Sequence, residues 1–321
     1  MGDKLDLAFA MDCTSSMCSY IASAKQNIEN IIQRISSSGI SSIRFGLVEY
    51  RDHPPQDHSF VTQKHDFTPN ITTMKSWLTA CSANGGGDTP EAVADAMYDV
   101  LHLSWHSDAT KICVLISDAP PHGLERSDNF PQCPAGHDPV CIASEMAKKG
   151  IVLYSIGCGL SGYVMDFFMA IAFLTGGQYV PLSTASNLTE VIIGGAQEEV
   201  SLEKWMAEVD EEVQRDLAKN IEIDEEELSR RIHKKMEVKG ARAKQLTRNN
   251  KQVGEINRRA KMMSKLKTLP QMRDFPAEGA YVPDPNIDSY KGGSAGFDID
   301  EGEITREQAE RMVIKAKARI T

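Results

Sequence analysis

The sequence lacks a hydrophobic run long enough to cross a bilayer. A transmembrane helix needs about 20 consecutive, mainly apolar residues. The most apolar stretch of the 321-residue chain, 164–174, is shorter and contains Asp166. The amino terminus also lacks the basic region that opens a signal peptide, and it passes directly into a strand-like segment. We therefore expect neither a membrane span nor a secretory leader.

Paired cysteine motifs are absent as well. The seven cysteines are an odd number, include no CxxC pair, and in several cases lie within apolar segments. Buried, reduced thiols explain this distribution, and they are typical of a reducing compartment. We therefore expect a cytoplasmic protein, and association with the cytoskeleton is left open.

The sequence contains few features of a catalytic centre. It has no phosphate-binding loop, and the glycine-rich run at 292–296 lacks the strand and helix that a nucleotide loop needs. No Ser or Cys nucleophile has a recognisable partner base. We therefore predict that the protein is not an enzyme.

Charge is distributed in blocks, although the net charge of −10 is moderate. Residues 1–200 contain 22 acidic and 11 basic residues. An acidic block at 203–228 has 11 acids and 3 bases, and a basic block at 229–273 has 15 bases and 2 acids. Such blocks are typical of solvated or interacting segments. We therefore divide the chain into a first domain at 1–205 and a charged tail at 206–321.

The first 205 residues alternate between strand-like and helix-like segments. Continuous apolar runs at Leu5–Met11 and Lys111–Ser117 are typical of central strands that are buried on both faces. The segment at 17–37 carries isoleucines near helical spacing. This alternation predicts an α/β fold, in which a doubly wound, mostly parallel sheet is flanked by helices in a Rossmann-like arrangement.

The tail is predicted to be elongated, mainly helical and partly irregular. Its basic block contains one narrow apolar stripe at helix-like spacing, formed by Leu246, Val253, Ile256, Ala260 and Met263. The Pro, Gly, Asp and Ser content of 270–302 predicts an irregular linker. Thr305 and Gln308 then form a capping box for a last helix. The apolar stripe of that helix is Ala309, Met312, Val313 and Ala316.

Polar side chains follow the first predicted strand at alternate positions. Asp12, Thr14 and Ser16 come directly after its apolar run. Because alternate residues of an extended segment point the same way, these side chains can converge on one point. The carboxyl end of a parallel sheet is also where open α/β folds bind ligands.

Two further segments bring oxygen atoms to the same edge. Asp118 ends the second central strand, and a triple-glycine loop leads to Thr89. Two carboxylates and three hydroxyls form an all-oxygen set that suits Mg²⁺ or Mn²⁺ and disfavours zinc, and Ca²⁺ stays open as an alternative. Because only two carboxylates are counted, the ion would be at most neutralised and would keep an affinity for an anion.

In order, these residues form the pattern D-x-T-x-S, the later Thr of GGGDTPEA and the Asp of LISDAPPHG. The pattern resembles the metal-ion-dependent adhesion site of von Willebrand A domains. The family usually has Ser at the first hydroxyl position, so Thr14 is a departure that keeps the oxygen. The resemblance implies metal ligands, some acting through water, at Asp12, Thr14, Ser16, Thr89 and Asp118.

Further stretches are similar to the A domain of those alpha-type protein kinases that carry one. They are YRDHPPQD, GGGDTPEAV, SDAPPHG and GGQYVPL, and the likeness covers about residues 3–205. We find no kinase domain in the rest of the sequence. The resemblance thus reaches only the first domain.

The resemblance implies a protein-interaction module whose Mg²⁺ coordinates an exposed Asp or Glu of a protein partner. In this interpretation the tail docks on an acidic protein surface or filament. One alternative is a regulatory or recruiting subunit of a kinase or ATPase system. The other is a structural, filament-associated protein whose metal site only stabilises the fold.

Two of the candidate sites have a simpler interpretation. Ser, Thr and Asp after strands also serve as helix caps, although caps alone do not explain the triple-glycine loop together with the second Asp. A zinc site is suggested by four residues that lie close in sequence, His122, Cys133, His137 and Cys141. Their spacing matches no standard zinc finger, and the same loop fits a crossover rich in Pro and Gly.

Two charged segments each have more than one interpretation. Arg51-Asp52-His53 follows a strand, and it either reaches the ligand surface or forms a surface ion pair. The basic block either binds acidic protein surfaces, nucleic acid or anionic lipid, or pairs with the acidic block. Because it contains no aromatic residues, binding of single-stranded nucleic acid is disfavoured.

Overall fold

The computed structural model describes residues 3–37, 40–219, 224–249, 251–253, 255–276 and 296–320. Most of the irregular linker expected at 270–302, with nearly all of its glycine-rich run, lies outside the described residues. No helix in the described part of the chain is long and apolar enough to cross a membrane.

The main sheet has six strands in the order β3-β2-β1-β4-β5-β6. They are β1 (Asp3–Asp12), β2 (Ile40–Tyr50), β3 (Thr62–Thr68), β4 (Thr110–Ser117), β5 (Ile151–Cys158) and β6 (Gln178–Leu182). All neighbouring pairs are parallel except β2 and β3, which are antiparallel. β1, β4 and β5 are almost entirely buried, whereas β3 is half-exposed at the edge. Continuous apolar sequence therefore marks the centre of the sheet.

Helices cover both faces of this sheet. They are α1 (Cys18–Ser36), α2 (Ile71–Ala80), α3 (Val93–Leu101), α4 (Pro139–Lys148), α5 (Gly162–Leu174) and α6 (Leu188–Glu203). Alternate residues of β1 face opposite cores: Leu7 and Phe9 pack with α1, α2 and α6, while Ala8 and Ala10 pack with α3, α4 and α5. The predicted doubly wound α/β fold is confirmed.

Capping side chains explain where two of these helices begin. The Asn70 side chain accepts a hydrogen bond from the Thr73 N–H at the start of α2. At α4, the Asp138 side chain accepts one from the Val140 N–H at 2.8 Å, and Pro139 occupies the first turn. Both arrangements satisfy N–H groups that have no partner within the helix.

The chain beyond residue 205 is mainly helical but also contains a small second sheet. Its helices are α7 (Met206–Ala218), α8 (Glu225–Lys239), α9 (Arg258–Met263), α10 (Leu269–Arg273) and α11 (Arg306–Ile320). The second sheet is antiparallel, in the order β8-β7-β9. Its strands are β7 (Arg242–Arg248), β8 (Lys251–Gln252) and β9 (Phe297–Glu303).

The prediction of one basic helix that carries a single apolar stripe is wrong. Leu246 lies in β7 and Val253 follows β8, while Ala260 and Met263 lie in α9. A tight hairpin also brings residues seven apart side by side, and the Val253 N–H donates to the Leu246 carbonyl at 2.9 Å. Four of the five stripe residues are buried, and Ile256 is half-buried. The spacing thus identified core residues but not their secondary structure.

The last helix, α11, begins with the predicted capping box. The Thr305 N–H donates to Gln308 Oε1 at 3.1 Å, and the Gln308 N–H donates to Thr305 Oγ1 at 3.2 Å. The predicted stripe is buried against α7 and α8, and it comprises Ala309, Met312, Val313 and Ala316. Capping box and stripe are therefore confirmed.

The described part of the tail packs against the first 205 residues. Arg311 of α11 donates hydrogen bonds to the Tyr154 hydroxyl at 2.7 Å and to Glu198 at 2.8 Å. Leu246 lies in the same apolar core as α1 and α6. The division at residue 205 stays a prediction, but these residues do not extend away from the main sheet.

The acidic and basic blocks pair with each other. Lys235 and Lys239 of α8 both contact Glu208 of α7, at 3.6 and 2.6 Å. Arg231 of α8 pairs with Asp216 of α7. Of the alternatives for the basic block, pairing within the chain is therefore the one that these contacts favour.

Candidate metal centre

The candidate site lies at the carboxyl edge of the main sheet. Asp12 is the last residue of β1, and Asp118 follows β4 directly. β1 and β4 are parallel neighbours, and Met11 is paired with Ile116. The two carboxylates therefore leave the sheet at the same edge, where such folds bind ligands.

The Asp12 side chain is fully buried. Its Oδ1 atom accepts hydrogen bonds from the Thr14 N–H at 2.9 Å and the Thr14 hydroxyl at 2.6 Å, and that hydroxyl lies 3.2 Å from the Ser16 hydroxyl. Burial raises the pKa of Asp12 to about 7; the hydrogen bonds from Thr14 oppose this rise, and Asp118 adds to it. The surroundings thus disfavour a negative charge that nothing compensates.

The triple-glycine loop packs against this segment. The Gly85 carbonyl accepts hydrogen bonds from the Ser15 N–H at 3.3 Å and the Ser15 hydroxyl at 3.0 Å. Gly86 has a φ of +77°, and a Cβ there would lie 2.9 Å from Glu91 Oε1 and 3.2 Å from the Cβ of Thr14. Both the backbone conformation and this close approach require glycine.

Glu91 is a buried carboxylate of the site that was missed from the sequence. Its N–H donates to the Pro120 carbonyl at 2.9 Å, which ties it to the loop after Asp118. Burial and four neighbouring carboxylates raise the pKa of Glu91 to about 10. In order of effect these four are Asp12, Asp52, Asp118 and Asp88. Since an acid after Pro at a helix start is ordinary, no local pattern indicates that Glu91 faces the site.

The count of two carboxylates made from the sequence is therefore wrong. Four carboxylates, Asp12, Asp52, Asp88 and Asp118, surround Glu91 closely enough to raise its pKa. Four buried oxygens of these five groups have no hydrogen-bond partner among the described residues: Asp12 Oδ2, Asp52 Oδ2, Asp88 Oδ1 and Glu91 Oε2. Buried, unpartnered carboxylate oxygens are costly, so this edge is a candidate site for a cation.

The five predicted ligand residues have different surroundings. Hydrogen bonds join Asp12, Thr14 and Ser16, and Asp118 lies close enough to act on the pKa of Asp12. Thr89 is exposed, and within the described part of the chain it forms no hydrogen bond to the other four. That these five residues bind a metal stays a prediction.

The segment Arg51-Asp52-His53 is buried, so its interpretation as a surface ion pair is wrong. The Arg51 guanidinium donates to the Cys13 carbonyl at 3.1 Å, beside Asp12. Asp52 Oδ1 lies 2.6 Å from His122 Nε2. Burial lowers the pKa of His122, but the carboxylates of Asp52 and Asp128 outweigh burial and raise it.

The four residues that suggested a zinc site have separate surroundings. His122 contacts two carboxylates, and the His137 ring stacks on Tyr98 with the ring centres 4.1 Å apart. Cys141 is exposed on α4. Cys133 alone among these four joins a group of candidate metal ligands, and its partners there are residues far away in the sequence.

Two solved structures resemble part of this chain. A pilus adhesin of Lactobacillus rhamnosus GG is 13% identical with a TM-score of 0.48, and the match covers 62% of this chain and 31% of the adhesin. Proximal thread matrix protein 1 of the mussel byssus is 15% identical with a TM-score of 0.43, over 61% of this chain and 46% of that protein.

Two curated proteins match part of the sequence. The alpha-protein kinase vwkA of Dictyostelium discoideum is 27% identical over 175 residues, which are 51% of this chain and 27% of the kinase. An ariadne-like RING finger protein of Acanthamoeba polyphaga mimivirus is 26% identical over 191 residues, which are 57% of this chain and 19% of that protein. The match thus spans about a quarter of the first relative and about a fifth of the second.

A family model matches the part of the chain that contains the sheet's central strands and the candidate site. The family is the von Willebrand factor A domain, and the match covers residues 6–132. Domains of this family generally mediate protein interactions and often bind a metal. Residues 6–132 of this chain are therefore similar to the von Willebrand factor A domain.

Proposed function

We propose that this domain binds a protein partner through Mg²⁺ at the carboxyl edge of its main sheet. The ion would be held by Asp12, Thr14, Ser16, Thr89 and Asp118, and an exposed Asp or Glu of the partner would complete its coordination. The observation that carries the proposal is the group of buried carboxylate oxygens without partners. The chain would act by binding rather than by catalysis.

The donor set supports the choice of ion. Carboxylate and hydroxyl oxygens suit Mg²⁺ or Mn²⁺, whereas zinc is bound mainly through nitrogen and sulfur. Asp12 and Asp118 neutralise the ion's charge, while Thr14 and Ser16 supply neutral oxygens. The hydrogen bonds that Thr14 donates to Asp12 orient the carboxylate before any ion binds.

The three additional carboxylates favour binding of the cation but disfavour binding of an acidic partner. Asp52 and Asp88 add negative charge near the site, which strengthens cation binding, and Glu91, whose pKa is raised to about 10, adds its charge when a cation displaces its proton. The same charge weakens the attraction between the bound ion and a partner's carboxylate. The cation is therefore supported by the structure itself, whereas the acidic partner is supported by the family resemblance.

The cation is tested by titrating Mg²⁺ into the full chain in a calorimeter. We expect one ion per chain, with binding lost in Asp12→Asn and in Asp118→Asn because each substitution removes a charge that holds the ion. Asp166→Asn is the matched control, since Asp166 is a buried carboxylate on α5 that contacts Asn257 rather than this site. Equal Mg²⁺ binding by Asp12→Asn and wild type would contradict the proposed site.

The partner is tested by capture on the immobilised chain with Mg²⁺, with EDTA, and with the Asp12→Asn variant. We expect a partner that is retained only by wild type with Mg²⁺, and that is lost when its contacting Asp or Glu is changed to the amide. A partner captured equally well in EDTA would show that the interaction uses another surface.

The relatives favour one more specific version of this function, in which the domain recruits an enzyme. One relative is named as a protein kinase and the other as a RING finger protein, and each match covers only a fraction of the named protein. Mg²⁺-dependent co-purification of kinase or ATPase activity with this chain would support recruitment. Capture of a partner that lacks such activity would favour simple adhesion over recruitment of an enzyme.

The remaining expectations have weaker support. Docking of the tail on an acidic filament conflicts with the pairing of α8 with α7, which already engages basic residues of the block. All seven cysteines are free thiols, and on that basis we keep the cytoplasm as the proposed location.

A further inference from the structure

A second group of candidate metal ligands consists of His53, Asp95 and Cys133. His53 comes from the segment after β2, Asp95 from the first turn of α3, and Cys133 from the long loop between β4 and α4. Cys133 Sγ is 3.2 Å from Asp95 Oδ2 and 4.0 Å from His53 Nε2, and His53 Nε2 is 2.9 Å from Asp95 Oδ2. We propose that these three residues form a structural zinc site.

The distances between the ligand atoms suit zinc. With Zn–N and Zn–O near 2.0 Å and Zn–S near 2.3 Å, tetrahedral angles place ligand atoms roughly 3.3–3.6 Å apart. The three observed distances lie on both sides of this range, so shifts of about half an ångström would accommodate the ion. Imidazole and thiolate also favour zinc over Mg²⁺.

Charge balance supports the same ion. A Zn²⁺ ion with one thiolate, one carboxylate and one neutral imidazole has no net charge. This matters because the three residues are buried, with exposed fractions of 7% for His53, 8% for Asp95 and 1% for Cys133. When the ion binds, the Cys133 thiol releases its proton to solvent and the Zn–S bond replaces the S–H bond.

The position of Cys133 indicates what the ion does. The loop between Asp118 and Asp138 forms no described helix or strand, and a connection of this length is unusual within a compact domain. A zinc ion would fix the middle of this loop to β2 and α3. Three protein ligands and one position left for a water are the coordination of catalytic zinc sites. All three ligands are buried, however, which keeps a substrate away from the ion, so we assign it a structural role.

A second cluster with two cysteines has sulfur atoms that are too close together to bind one zinc ion. Cys13 Sγ and Cys81 Sγ are 2.7 Å apart, and Glu49 Oε2 is 3.9 Å from Cys13 Sγ. Two thiolates on one zinc ion are about 3.8 Å apart, as follows from the Zn–S distance. The Cys13–Cys81 pair is therefore too close, and it provides a matched control.

The test measures zinc in the purified full chain after loading with Zn²⁺ and removal of free metal. We expect about one zinc per chain in wild type and in Cys81→Ser, and a loss of affinity of at least about tenfold in Cys133→Ser and in Asp95→Asn. Co²⁺ substitution should give a thiolate-to-cobalt charge-transfer band in wild type and Cys81→Ser that Cys133→Ser lacks. Mg²⁺ calorimetry and circular dichroism on the same samples show whether each variant is folded.

Three outcomes would overturn the proposal. One is folded wild type that retains no zinc. Another is equal zinc retention by folded Cys133→Ser. The third is zinc that is lost in Cys81→Ser and kept in Cys133→Ser, since that would place the ion beside Cys13.

Discussion

Two clusters of buried charge in this molecule are built in opposite ways. At the interface of α6 and α11, buried acids meet buried bases: Glu198 and Glu199 contact Arg311, and Glu199 also contacts Lys315. At the carboxyl edge of the main sheet, Asp12, Glu91 and Asp118 form no salt bridge with any Lys or Arg in the described part of the chain. The first cluster is electrically complete, whereas no Lys or Arg of the described residues balances the second.

The partners of Arg311 show how complete the first cluster is. Its guanidinium also donates to the Gly176 carbonyl at 3.1 Å, to Gln178 Oε1 at 3.0 Å and to the Tyr154 hydroxyl at 2.7 Å. Opposite charges and full hydrogen bonding let such a group stay buried. The comparison therefore separates buried acids that are paired with bases from buried acids that are candidates for binding a cation.

The largest predicted effect breaks the complete cluster. Arg311→Met should lower the free energy of unfolding by about 3–5 kcal/mol, because it leaves Glu198 buried without its cation. Urea denaturation measures this change. Lys239→Met is the control, since the exposed pair of Lys239 with Glu208 contributes less than about 1 kcal/mol. Similar losses in the two variants would show that burial does not distinguish these pairs.

The next prediction concerns the incomplete cluster. Mg²⁺ at 100 times its dissociation constant should raise the free energy of unfolding of wild type by about 2.7 kcal/mol, because the ion binds only the folded state. Asp12→Asn should lose this gain while keeping or raising the stability measured in EDTA, since it removes one repelling carboxylate. Thermal unfolding with and without Mg²⁺ measures both effects. A marked loss of stability in EDTA would mean that the Asp12 charge supports the fold itself.

The smallest predicted effect is a loss of stability at low pH that depends on Glu203. Burial raises the pKa of Glu203, but Lys315 and Arg319 outweigh burial and hold it below the usual 4.5. A carboxyl whose pKa is lowered on folding stabilises the protein fully above its unfolded pKa, and this contribution is lost as the pH falls through the folded pKa. Urea unfolding at about pH 6 and about pH 3.5 should show the loss in wild type, and Glu203→Gln should reduce the difference between the two pH values. If Glu203→Gln leaves this difference in stability unchanged, Glu203 does not contribute to the loss of stability in acid.

The sequence was most informative where one local rule decided the outcome. Continuous apolar runs identified β1 and β4, and the carboxylates at their ends were correctly expected at one edge of the sheet. The capping box of Thr305 and Gln308 depends on only four consecutive residues, so it too could be predicted. In each case the relevant contacts lie within a strand, a turn or a helix start.

The sequence was least informative where distant segments meet. Glu91 resembled an ordinary acid at a helix start, and nothing local indicated four other carboxylates around it. Cys133 was considered together with its sequence neighbours, whereas its contacts, His53 and Asp95, lie 80 and 38 positions away. Apolar spacing in the tail failed because a short hairpin and a helix can bury the same residues.

The position of Arg311 also bears on how the protein is made. This residue contacts Glu198, which precedes it by 113 positions, so the ribosome completes the main sheet well before it synthesises the cation that the sheet's last helix requires. During that interval the nascent domain carries two uncompensated acids at the face that α11 will cover.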